Sequence, residues 1–104
     1  MIAENQESKE INESYPSNNT LKSAVKLSIL EDKPIMMDYW KDSLEKNALI
    51  GVKQDEDQEK LLIKNEEEYT SPISKIYKCD EEFIIMTENS IYIVSGKIPT
   101  KKIS

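Results

Sequence analysis

Arginine and histidine are both missing from this chain of 104 residues, and all fourteen basic side chains are lysine. Without arginine there is no planar fork for bidentate contacts to phosphate, carboxylate or guanine. Without histidine there is no side chain that titrates unperturbed near neutrality, and the commonest metal ligand is lost. A single cysteine, Cys79, excludes an intramolecular disulfide and a Cys-based zinc site, so no metal and no cofactor are expected. The start shows no basic-then-apolar signal segment, and no run approaches the roughly 18 apolar residues of a membrane span. A reducing intracellular, cytoplasmic setting away from membranes follows as the expectation. The net charge of −6 disfavours non-specific attraction to nucleic acid or to an anionic membrane.

Apolar residues make up only 38% and charged ones 33%, which leaves material for one small core. Residues 1–19 hold four Glu, four Asn and three Ser, with Ile2, Ile11 and Tyr15 as the large apolar groups. That composition predicts a disordered acidic tail, because so little apolar surface cannot offset the ordering entropy. A small α+β domain is expected over 20–98. A basic tail over 99–104 follows, carrying Lys101 and Lys102 beyond Lys97.

The clearest structural signal is Phe83-Ile84-Ile85-Met86, then Thr87-Glu88-Asn89-Ser90, then Ile91-Tyr92-Ile93-Val94. Two apolar, largely β-branched or aromatic runs around a polar break read as a β-hairpin, with Asn89 able to take a positive φ. The favoured register sets Met86 against Ile91, Ile85 against Tyr92, Ile84 against Ile93 and Phe83 against Val94. Neither run alternates with polar residues, so both faces of the hairpin need cover. A helix from Leu21 to about Glu31, capped from Asn18, Asn19 or Thr20, offers a stripe of Leu21, Ala24, Val25, Ser28 and Ile29 for one face. The alternation of Val25, Leu27 and Ile29 would also suit a strand; the match of cap and stripe favours the helix. Lys33-Pro34 ends it.

Short strands divided by acidic turns make up the rest. Ile35–Trp40 forms the first, and a polar 41–47 connection with room for a helical turn follows. Ala48–Lys53 and Lys60–Lys64 pair around the 54–58 loop. Glu66-Glu67-Glu68 is a solvated connection, Pro72 opens a strand through Lys78, and Gly96 and Pro99 end the hairpin. Turn spacing of roughly 8–12 residues favours an antiparallel meander over βαβ units. The expected fold is therefore one N-terminal helix on a curved antiparallel meander of five or six strands, partly closed toward a small barrel.

Few residues offer chemistry. Lys33–Trp40 resembles the segment that enters the active site of thioredoxins, but no Cys-x-x-Cys follows Trp40, so dithiol exchange is excluded. Cys79 lacks an activating base and reads as a small residue at a strand end. The Asp55-Glu56-Asp57 and Glu66-Glu67-Glu68 runs sit in polar loops without the contrasting environments that separate acid from base. No catalytic constellation emerges, and the chain reads as non-enzymatic. Tyr39, Trp40 and Tyr69 are candidates for a protein-contact patch, since interfaces favour Tyr and Trp. The bland alternative places them around the rim of the core. Lys97, Lys101 and Lys102 are candidates for polyanion contact, the basis of an alternative reading as a small nucleic-acid-binding barrel.

Glu31–Trp40, Glu67–Ile73 and Thr87–Tyr92 together resemble small uncharacterised proteins of large cytoplasmic DNA viruses, and the replacement of Arg by Lys agrees with that source. The resemblance implies a virus-encoded, virion-associated protein; it implies no activity and transfers no functional residue. The reading that follows is a small structural or protein-interaction module, with a protein partner or self-association.

Overall fold

The computed structural model describes residues 15–103. At its centre lies the hairpin of β6 (Glu82–Thr87) and β7 (Ile91–Ser95), in the expected register: Phe83 opposite Val94, Ile84 opposite Ile93, Ile85 opposite Tyr92 and Met86 opposite Ile91. Its turn is built differently from the expectation. Asn89 is not among the positive-φ residues, which are Asp32, Lys46, Gln58 and Asp80. The buried hydroxyl of Thr87 instead accepts the N–H groups of Asn89 (3.2 Å) and Ser90 (3.1 Å), holding the turn from its side chain. Ile84, Met86, Ile91 and Ile93 form one face of the hairpin, and Ile85 and Val94, with Phe83 and Tyr92, form the other. Six of these side chains are essentially solvent-free, a gross transfer gain of about 9–18 kcal/mol. That is comparable to the whole net stability of an ordinary domain.

The cover is α+β, and the sheets do not close into a barrel. β6 and β7 belong to a sheet ordered β1-β7-β6-β5, where β1 is Ile35–Met36 and β5 is Ile73–Cys79. A second sheet, ordered β4-β3-β2-β8, packs on the Ile85 face through Ile50, Leu62, Ala48 and Ile98. Its strands are β2 (Leu49–Lys53), β3 (Lys60–Asn65), β4 (Glu68–Tyr69) and β8 (Thr100–Ile103). The expected meander of five or six strands is thus, among the described residues, eight strands in two sheets, and two pairings are parallel, β1 with β7 and β2 with β8.

The expected basic tail over 99–104 is corrected by β8. Buried Ile98 carries the chain from the first sheet into the core between the sheets. The carbonyl of Pro99 then accepts the Ile50 N–H at 2.9 Å and starts the parallel ladder. Of the acidic tail, residues 1–14 lie outside the described residues, while Asn18 and Asn19 open the helix.

Helix α1 (Asn18–Glu31) is capped by Ser17, whose Oγ accepts the Thr20 N–H at 3.1 Å, and ends where Asp32 turns left-handed at φ 56°. Its rotation keeps Ala24 of the expected stripe inside and overturns the stripe's large apolar members. Thr20 and Ala24 are buried, with Leu27 half-buried beside them. Leu21, Val25 and Ile29 face outward, Val25 at 49% and Ile29 at 75% exposure.

Glu82 explains the turn of the helix. Its buried carboxylate accepts the Thr20 hydroxyl at 2.6 Å and the Ser17 N–H at 3.3 Å, and Asp80 accepts the Ser17 hydroxyl at 2.5 Å. A buried carboxylate must find donors, and a helix N-terminus supplies them. Small Ala24 then permits close approach to the hairpin.

The expected strand Ile35–Trp40 ends at Met36, and the connection beyond it contains helix α2 (Trp40–Leu44). Buried Ser43 of α2 accepts the Ser95 N–H at 2.9 Å and so fastens α2 to β7. No helix among the described residues is long and apolar enough to cross a membrane.

Two outcomes follow. Thr20→Val should cost about 1–3 kcal/mol by denaturant midpoint, because Glu82 loses a donor to a charged group. Val25→Ala should stay within about 0.5 kcal/mol; equal costs would refute the observed rotation. Ile84→Ser and Ile85→Ser should each cost more than about 3 kcal/mol, since each places a cavity and a hydroxyl on a different buried face. Near-native stability of either variant would show that its face is not internal.

Candidate interaction surface

Strand alternation sends Ile50 and Leu62 inward from the second sheet and turns Leu49, Leu61, Ile63 and Ile103 to its outer face, where Leu61 is buried among its neighbours and the other three are half-buried. The apolar runs of β2 and β3 are continuous, as in the central hairpin, so both faces of this sheet are apolar too. Helix α1 packs on β1, β6 and β7, and α2 packs on β7, so neither helix covers that outer face. The result is an open trough of about 880 Å³.

Gly51 lies buried beneath the side chains that line it. A Cβ there would meet Ile63 Cδ1 at 2.5 Å and Ile103 Cδ1 at 2.9 Å, so the two isoleucines close over a position that has no side chain. Glycine in a strand interior commonly marks such a close approach.

Charge is laid out unevenly around the rim. Lys53 and Lys102 line the side toward β8, with exposed Lys101 next in sequence, and Lys53 is paired with Glu59 at 3.5 Å. Asn65, Glu66 and Tyr69 line the opposite side. The acidic end is a structured turn: Asn65 Oδ1 accepts the N–H groups of Glu67 (2.8 Å) and Glu68 (3.0 Å), and Asn65 Nδ2 donates to Glu68 Oε1 at 3.0 Å. Lys64, also on the rim, lies 3.4 Å from Asp42 and sits 4.8 Å from the ring centre of Tyr39.

The three aromatic candidates do not share one patch. Tyr39 is only 5% exposed and meets Tyr92 edge-on within the core between the sheets, with ring centres 5.4 Å apart. Trp40 is half-buried against the helix-side core. Tyr69, 59% exposed, alone reaches the trough. Among the lysine candidates Lys102 joins Tyr69 there, Lys101 lies on the same edge strand, and Lys97 is exposed in the turn before β8. Cys79 ends β5 with its Sγ 3.9 Å from Ser23 Oγ. The outer-face residues Leu49, Leu61, Ile63 and Ile103 were not singled out from the sequence. The signal that could have found them was the unbroken apolar stretch Leu61-Leu62-Ile63, which leaves no polar residue for an outer face.

Against known proteins, no family model, no curated protein and no solved structure matches this chain.

Burial raises the Tyr39 phenol to about 12, helped by Tyr92 and by the carboxylates of Asp38, Glu68 and Asp42; Tyr92 is raised too, chiefly by burial. The unfolded phenol titrates near 10. Its deprotonation therefore favours the unfolded chain, and the stability that depends on a neutral Tyr39 is complete below pH 10 and lost as pH rises toward 12. Melting curves between pH 9 and 12 should show a steeper fall for the natural chain than for Tyr39→Phe. Parallel curves would refute the contribution.

Proposed function

We propose that this chain is a non-enzymatic structural or interaction module that works through protein contacts on the outer face of the β4-β3-β2-β8 sheet. The observation that carries this reading is the apolar trough of Leu49, Leu61, Ile63 and Ile103 over Gly51, left without a covering layer among the described residues. Antiparallel sheets that face water on one side normally alternate apolar-in with polar-out. An apolar centre within a charged rim, with an exposed Tyr beside it, has the anatomy of a protein interface. The likeness to small proteins of large cytoplasmic DNA viruses supports a narrower form of the same proposal, in which the chain acts inside the cell and contacts a component of a virus particle.

Ile63→Lys together with Ile103→Lys should leave the circular dichroism spectrum unchanged while charging the centre of the trough. Crosslinking with mass spectrometry in the cells that make the protein should then lose the contacts that the natural chain forms, whether to itself or to another protein. Identical crosslinks from both forms would refute the reading.

A further inference from the structure

We infer that the outward face of α1 is a docking site for the chain's own acidic segment 1–14, which leads into that helix. This face is separate from the trough, since α1 and the second sheet cover opposite sides of the central hairpin. Burial of Thr20 and Ala24 turns Leu21, Val25 and Ile29 to solvent, each one helical turn from the next. Ile29 at 75% and Leu30 at 77% are the most exposed large aliphatic side chains among the described residues. Leu21 and Val25, with Lys22 and Lys26, line a shallow groove of about 360 Å³.

The two lysines set the chemistry of the occupant. Besides each other, their neighbours three and four residues away along the helix are Asn18, Asn19, Ser23, Val25, Ile29 and Leu30, with no carboxylate. Both lysines are exposed, and neither forms an ion pair among the described residues. The acids that α1 does meet, Asp80 and Glu82, are engaged by Ser17 and Thr20 at its start. The face is therefore apolar and positive, and it asks for an acidic segment with apolar groups. A second copy fits poorly, because a two-fold contact through this face brings Lys22 and Lys26 against the same lysines of the partner.

Segment 1–14 meets that requirement in charge, place and length. It carries Glu4, Glu7, Glu10 and Glu13 against the one lysine Lys9, with Ile2 and Ile11 as its large apolar groups. It joins the fold beside the groove: buried Pro16 and the Ser17 cap anchor the chain at the first turn of α1, and Leu21 lies one turn further on. Fourteen residues reach up to about 46 Å, whereas α1 is only about 21 Å long, so the segment can cover the whole face. Exposed ion pairs are individually weak. A covalent tether presents the segment at an effective concentration of about millimolar, so a few weak contacts suffice. The result is a cover that salt or a competing acidic segment can displace, because exposed charges are readily screened.

A nitroxide on Ser8→Cys, in the full chain carrying Cys79→Ser so that the label is unique, tests this by nuclear magnetic resonance. Cys79→Ala replaces Cys79→Ser if the latter shifts the amides of β6 and β7. The label should broaden the amides of Val25 and Ile29 as well as those of the first turn, and the effect should fade as salt rises from about 0.01 to 1 M. Lys22→Glu with Lys26→Glu should abolish the broadening beyond the first turn. Adding Glu4→Lys, Glu7→Lys, Glu10→Lys and Glu13→Lys to that variant should restore it, because both signs are then exchanged. Broadening confined to the first turn, or broadening indifferent to salt and to charge reversal, would overturn the inference. So would broadening of an isotope-labelled, spin-free chain by a spin-labelled one mixed with it, since the occupant would then be a second copy. None of these outcomes bears on the trough, which is tested through Ile63 and Ile103.

Discussion

Everything in this domain is arranged around one strand pair that cannot tolerate water on either side. The β6–β7 hairpin places Ile84, Met86, Ile91 and Ile93 on one face and Ile85 and Val94 on the other, so a single covering layer would leave half of that apolar surface wet. The chain supplies two layers, one on each face. Helix α1 comes from before the hairpin. The second sheet comes partly from before it, as β2, β3 and β4, and partly from after it, as β8. Ile98 is the hinge of that arrangement, because its burial draws the last strand across to the second sheet.

Polar groups then set orientation within those layers. The buried carboxylate of Glu82 accepts donors from Ser17 and Thr20, and this turns α1 until Thr20 and Ala24 face the hairpin. The same rotation leaves Leu21, Val25 and Ile29 outside. Ser43 holds α2 against β7 in a similar way, through the Ser95 N–H. Apolar burial provides most of the driving force, but it has no direction; a small number of hydrogen bonds choose among packings that bury similar areas.

Applied to the second sheet, the logic of the central hairpin shows what remains unfinished. Its inner face is satisfied by Ile85 and Val94, while its outer face repeats the two-sided apolar pattern and lacks a third layer among the described residues. The interaction reading grows from that asymmetry. The hairpin's signal was legible because a turn separates its two runs by four polar residues. The same signal in Leu61-Leu62-Ile63 was shorter and was read only as part of the Lys60–Lys64 strand. Tyr39, named as a surface candidate, was instead drawn inside by Tyr92 and by the short helix that follows it.

The sequence by itself determined the register of the central hairpin, the need for cover on both its faces, the helix near residues 21–31 and the ends of most strands. Those properties follow from period-two and period-3.6 patterns over a few neighbouring residues, where side-chain direction is set by local backbone geometry. Only the tertiary structure decided which side of α1 faces inward, that residues 100–103 form a parallel strand, and that Tyr69 rather than Tyr39 or Trp40 meets the trough. These are contests between distant segments for the same buried surface. Their outcome turns on partners such as Glu82 with Thr20 and Pro99 with Ile50, which lie about fifty to sixty residues apart and leave no periodic trace in the chain.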